Sequence, residues 1–224
     1  MRLFCSLTLN KTNKKETKEG LELGLSLSYY SRVFLILQFL PLLSRSPHPR
    51  VLTILGGHLM SPISDLSDLQ LAKPGAFNGI WSQKNAIAMT NLFLERLADE
   101  QKESGVVFVH SHPGFVNTGN IRRGWGEDSW KSIAIDMVAR PAFWAMGTGL
   151  EESGERHLFL LTSGRFGGDG KDKAKNSKGK QGPGLFLASA ACDARDLGKS
   201  IEEQREKAQG VVWEETMKVF KPYL

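Results

Sequence analysis

The chain is constrained most by two short apolar runs that never alternate with polar residues. Residues 50–55 (RVLTIL) are closed by Gly56-Gly57, and residues 106–109 (VVFV) lead to His112-Pro113-Gly114. A strand with one wet face alternates apolar and polar side chains, whereas a run that stays apolar is buried on both faces. Between the runs, residues 82–101 hold no Gly or Pro. They carry Ile87, Leu94 and Leu97 on one helical stripe, with Glu95, Arg96, Asp99 and Glu100 toward the end and Ser104-Gly105 as the stop. Strand, long helix, strand is a crossover unit, so the pattern predicts an α/β fold: a parallel sheet with helices on both faces. Ligands of such sheets bind at the carboxyl ends of the strands, which here are Gly56-Gly57-His58 and His112-Pro113-Gly114.

The remaining segments fit around this unit. Residues 3–9 read as a short strand and residues 11–22 as a charged loop. Residues 28–43 read as a helix with Phe34, Leu37 and Leu40 or Pro41 on a recurring face, and Pro47 and Pro49 lie beyond its end. Residues 60–79 read as a loop, residues 128–144 as mixed helix, residues 157–161 (HLFLL) as a third strand, and residues 202–220 as a closing helix with Val212, Thr216, Val219 and Phe220 on one face. Residues 164–184 carry seven glycines and five lysines with almost no apolar side chains, which predicts a flexible exposed insertion.

At 224 residues, 41% hydrophobic and 24% charged, the chain (1–224) suits a single globular domain and excludes a disordered or collagen-like chain. The net charge of +5 is local. Five lysines against one aspartate between Lys171 and Lys180 account for most of it, and no aromatic residues punctuate them for base stacking, so no nucleic-acid partner is expected. Cys5 and Cys192 form no disulfide framework and have no zinc spacing, the reading of two reduced thiols in a cytoplasmic protein. The apolar run at residues 33–43 is shorter than the roughly 20 residues a bilayer requires, so no membrane association is expected. No small-residue cleavage site precedes the charged run at residues 11–18, which argues against a signal peptide.

Four pieces resemble the second half of a short-chain dehydrogenase/reductase. They are the helix with Phe34, Gln38, Leu40 and Pro41; the strand Arg50-Val51-Leu52-Thr53-Ile54 and its small-residue turn; Lys84-Asn85-Ala86-Ile87 with Met89-Thr90 and Leu94-Glu95; and His112-Pro113-Gly114-Phe115-Val116-Asn117-Thr118, similar to the family's PGxVxT turn. Tyr29-Tyr30-Ser31-Arg32, Glu152-Ser153-Gly154-Glu155-Arg156 and Val212-Trp213-Glu214 resemble a fungal branch of the family.

The resemblance implies a Rossmann-like sheet that is incomplete: the strand at residues 3–9 would be the family's fourth, leaving the first βαβ units out. It implies NAD(P) as cofactor and a small-molecule substrate. Lys84 would be the catalytic, ribose-holding lysine, and Pro113, Gly114 and Thr118 nicotinamide-side contacts. Trp125, Trp130 and Trp144 fall in the segment that covers the substrate in this family. The helix at 82–101 resembles the family's usual dimer helix, implying a homo- or hetero-oligomer. No metal site is expected, since His110 and His112 lack a third ligand.

The chain departs from the family at the reacting positions. Ile80 stands four residues before Lys84, where a tyrosine moves the proton, and Gly56 stands at the serine position. Tyr29 or Tyr30 would be the nearest phenols. No glycine-rich phosphate turn precedes Tyr29, and the GxxGxDG run at residues 164–170 opens no helix. These departures predict an oxidoreductase-like chain that is inactive, or a non-catalytic subunit that pairs with a related dehydrogenase.

Overall fold

The computed structural model describes residues 2–5, 14–116, 137 and 147–224, the first four by backbone only. Four strands form one parallel sheet in the order β1 (Arg2–Cys5), β2 (Arg50–Ile54), β3 (Val107–Ser111), β4 (Leu185–Ala188). The described helices are α1 (Leu23–Leu43), α2 (Gly79–Glu100), α3 (Leu150–Thr162) and α4 (Lys199–Phe220). The α/β reading and its Rossmann-like sheet hold.

Every residue of β2, β3 and β4 is buried, and successive side chains face opposite cores. Val51, Phe108, Leu185 and Leu187 face one core with α1, α2 and α4, while Leu52, Ile54, Val107, Val109, Phe186 and Ala188 face a second core with Leu160 of α3 and Phe166. Both faces are covered, which is why the strand sequences are continuously apolar. Each fully buried Leu or Phe contributes about 2–3 kcal/mol of transfer free energy.

Local signals set the helix ends. The Asn78 side chain accepts the Ile80 N–H at 2.8 Å and starts α2 three residues earlier than its apolar stripe suggests. At the far end Gly105 takes φ +67°, a left-handed stop that the sequence anticipates. The Glu22 carboxylate starts α1, accepting from Gly24 N and Leu25 N at 2.7 Å each and from Ser82 Oγ at 2.8 Å. A π-turn at Ser26–Tyr30 lets the consecutive Tyr29 and Tyr30 both point inward. By length and composition α1 could cross a membrane; here its Val33, Ile36, Leu40 and Leu43 stripe is buried in the core.

Two expectations change. Residues 157–161 are not a strand but the second half of α3: His157 and Leu160 face inward while Leu158 and Phe159 face out, a helical spacing that a five-residue apolar run cannot reveal. The strand that joins the sheet beside the expected β3 is instead Leu185–Ala188, only four residues between Gly184 and Ser189.

Residues 164–184 are not wholly exposed either. Phe166 is fully buried edge-on to Phe159 and Phe186, and Ala174 and Ser177 are buried too. The backbones of Gly164 and Gly170 approach so closely that a Cβ on Gly170 would lie 2.8 Å from the Gly164 carbonyl carbon. The strand expected at residues 3–9 is present over Arg2–Cys5. Residues 6–9, and residues 128–144 apart from Met137, lie outside the described residues.

Candidate functional site

The carboxyl ends of β2 and β3 meet the amino-terminal half of α2. On that helix Lys84, Ile87 and Asn91 follow one another at helical spacing toward the strand ends. Asn91 Nδ2 donates to the Gly57 carbonyl at 2.9 Å, and its Oδ1 lies 2.6 Å from His110 Nδ1. The Gly56 N–H donates to His110 Nε2 at 3.3 Å, so His110 carries its proton on Nδ1. This closed set of bonds pins the Gly56-Gly57 turn. His110 is fully buried, and burial, reinforced by the Arg32, His112 and His58 charges, pushes it down from 6.5 to about 3.

The turn has no room for larger residues. A Cβ on Gly56 would lie 2.2 Å from Ile87 Cδ1, and one on Gly57, at φ +37°, would lie 2.5 Å from the His110 carbonyl oxygen. The serine position of the family is therefore filled by Ile87. Next to the turn, the His58 and His112 rings meet edge to face with centroids 5.5 Å apart. The Nδ1 atoms of both are buried and have no hydrogen-bond partner among the described residues. Burial, with His58 adding to it, lowers His112; its backbone contact with Leu55 pulls the other way.

Lys84 is half-buried, with Nζ 4.5 Å from the centroid of the Trp81 ring. Ile80 is 65% exposed and holds no proton-transfer group. Pro113 and Gly114 form the turn after β3; Gly114 has φ +77°, and a Cβ there would lie 2.8 Å from Ala190 Cβ. Thr118, Trp125, Trp130 and Trp144 lie outside the described residues.

The tyrosines are no part of this site. Tyr29 is fully buried and its hydroxyl lies 2.6 Å from Thr216 Oγ1 on α4, with burial pushing its pKa well up; Tyr30 packs edge-on to Phe220. Both belong to the core because the π-turn directs them there. The i, i+2 histidines also separate in role: His110 has both ring nitrogens engaged, while His112 meets His58. Asn91 escaped the sequence reading, although a polar side chain two turns after Lys84 on an otherwise apolar stripe was its signal.

Around α2 the outer face is already occupied. Phe93 stacks on Trp213 of α4 at 4.5 Å between centroids, and Glu95, 1% exposed, takes Nε and Nη2 of Arg205 at 2.6 and 2.9 Å and Ser177 Oγ at 2.6 Å. The large apolar side chains left exposed on this helix are Ile80 and Trp81.

No protein-family model matches the chain. It is 31% identical over 215 residues to an oxidoreductase of Emericella nidulans, covering 91% of this chain and 62% of that protein. It is 28% identical over 198 residues to a short-chain dehydrogenase/reductase of Stachybotrys chartarum, covering 86% of this chain and 53% of that one. Among solved structures, an uncharacterized protein of Mycobacterium paratuberculosis shares the fold at a TM-score of 0.57 and 14% identity, covering 98% of this chain and 66% of that one. The chain is thus similar in sequence to fungal oxidoreductases, one of them a short-chain dehydrogenase/reductase. It spans about three fifths of the length of the first of them.

Proposed function

We propose that this protein is an NAD(P)-dependent-oxidoreductase-like protein of cytoplasmic small-molecule metabolism that is inactive as this chain, because the tyrosine, the serine and the glycine-rich turn of the short-chain dehydrogenase/reductase chemistry are absent, while the nicotinamide-side contacts remain. In this reading Lys84 holds the cofactor ribose, and Pro113, Gly114 and Thr118 flank the nicotinamide. The observation that carries it is the pinned Gly56-Gly57 turn. Asn91 and His110 fix the strand ends between the helix bearing Lys84 and the Pro113-Gly114 turn, the crevice where sheets of this kind hold ligands. Loss of the family route follows from Ile80, which points to solvent, and from Gly56, where Ile87 leaves no space for a serine.

The alternative, a non-catalytic subunit pairing through α2, has less support, because α4 already covers that helix within one chain. Titrating the purified chain with NADPH and NADH and following fluorescence tests the proposal. Saturable binding is expected, with Lys84→Met weakening it about ten-fold, equivalent to about 1.4 kcal/mol. No saturation up to about 1 mM, the upper end of ordinary enzyme affinities, overturns it.

A further inference from the structure

A cavity of about 330 Å³ lies between the loop at residues 66–72, α1 and α4, and neither the Gly56 turn nor the Pro113 turn lines it. That volume is at the small end of ligand sites, which run from roughly 300 to 1,000 Å³. Tyr30 reaches the cavity from the core. The residue is 3% exposed, and its hydroxyl makes no hydrogen bond among the described residues yet is not sealed from solvent, so it opens into the cavity. Two carboxylates share the wall. Asp68 is 8% exposed, and each of its oxygens accepts one backbone N–H, from Ala72 at 2.7 Å and from Lys73 at 2.8 Å, which leaves each a further lone pair. Lys73 gives its ammonium group to Asp65 rather than to Asp68. Glu215 stands on α4: burial raises the Tyr30 phenol, and the nearby Glu215 charge raises it further. The ion pair of Glu215 with Lys218 is long, at 3.8 Å. The basic residue that lines the cavity, Lys14, is taken by Glu16 at 2.7 Å.

We propose that this cavity binds a small organic amine in its ammonium form, through Asp68, Glu215 and the Tyr30 hydroxyl. The two carboxylates balance the charge, and the phenol oxygen accepts one N–H bond. Leu69 and Val211 supply apolar wall for the hydrocarbon part of the ligand. An anionic ligand would meet two like charges there, a juxtaposition that costs binding. A calcium ion takes about six to eight oxygen ligands, more than two carboxylates and one phenol on an otherwise part-apolar wall provide. A few convergent polar groups on an apolar lining are the ordinary build of a small-molecule site. The proposal stands apart from the cofactor reading, because it uses none of Lys84, Pro113, Gly114 or Thr118.

Calorimetric titration of the full chain with butylamine and 2-phenylethylamine tests the proposal, with 2-phenylethanol and 3-phenylpropionate as uncharged and anionic counterparts. At least one amine is expected to saturate with a Kd below about 1 mM, and both counterparts to bind at least about ten-fold more weakly. Glu215→Gln and Asp68→Asn should each weaken the amine about ten-fold, and Tyr30→Phe about three-fold, through loss of one hydrogen bond. Thermal melts check folding. Asp68 also holds the Ala72 and Lys73 backbone, so if Asp68→Asn melts early, Glu215→Gln, at an exposed position of α4, decides the charge requirement. Saturation by neither amine up to about 10 mM overturns the proposal, as does equal binding of 2-phenylethanol or a Glu215→Gln chain that binds the amine within two-fold of wild type. NADPH titrations of the same variants report separately on the cofactor reading, which either outcome here leaves standing.

Discussion

The two faces of the sheet are built by different means. On one, α1, α2 and α4 pack side chain against side chain: Phe93 lies between Trp213 and Tyr29, and the buried Glu95 is satisfied by Arg205 and Ser177. On the other, a single described helix and a glycine-rich loop cover β2, β3 and β4. There Arg50, from the start of β2, gathers backbone carbonyls, donating from Nη1 to Leu160 and Ser163 at 2.9 and 2.8 Å and from Nη2 to Phe166 at 2.6 Å. The first face is stabilised by apolar area in regular helices. The second is held by one charged residue at the carboxyl end of a helix and by backbones that touch because no Cβ intervenes.

Breaking the helical face should cost most. Phe93→Ala removes a stacked, fully buried ring and is expected to destabilise by about 3–5 kcal/mol in urea unfolding. A loss below 1 kcal/mol would mean that the ring does not organise this core. On the loop face, Arg50→Met keeps the volume but strands the carbonyls, and about 2–3 kcal/mol should be lost. Limited proteolysis should then cut first between Gly164 and Gly184; cutting elsewhere first would show that Arg50 does not anchor that loop.

The pH dependence sharpens the same contrast, because His110 lies on the helical face. It is neutral in the folded chain down to about pH 3 but titrates near 6.5 when unfolded. Below pH 6.5 the unfolded state binds the extra proton, so stability falls as pH drops toward 3, by at most about 1.4 kcal/mol per pH unit from this group, and is complete above 6.5. His110→Gln should flatten that slope, and an unchanged slope would assign it to other groups. The smallest effects come from two glycines. Gly170→Ala, crowded against the Gly164 backbone, should lose roughly 1 kcal/mol. Gly210→Ala, in open space on α4, should gain up to about 1 kcal/mol. Equal signs in thermal melts would dissolve the distinction between the faces.

The helical face was legible in the sequence and the loop face was not, for a physical reason. RVLTIL, VVFV, the stripe from Ile87 to Leu97 and the Gly105 stop are local signals, repeated over enough residues to fix a period. The strand Leu185–Ala188 and the second half of α3 are short apolar runs whose conformation is decided by distant partners. So is the burial of Phe166 under Arg50. Glu95 reads as a surface charge until Arg205, 110 residues away in the chain, is brought beside it. At the site, the family resemblance pointed to the turns at Gly56 and Pro113. The bond between Asn91 and His110 links two elements and leaves no trace in either one alone.

The order of the sheet has a consequence for synthesis. Its described strands lie side by side in the order in which they leave the ribosome, each pairing with the one made just before it. The chain can therefore extend its sheet as it emerges, and it need not hold an early strand unpaired until a late one arrives. Slow synthesis should be tolerated well along this stretch. The exception is β4, which must wait for the whole segment between Ser111 and Leu185, glycine-rich loop included, before it can pair with β3.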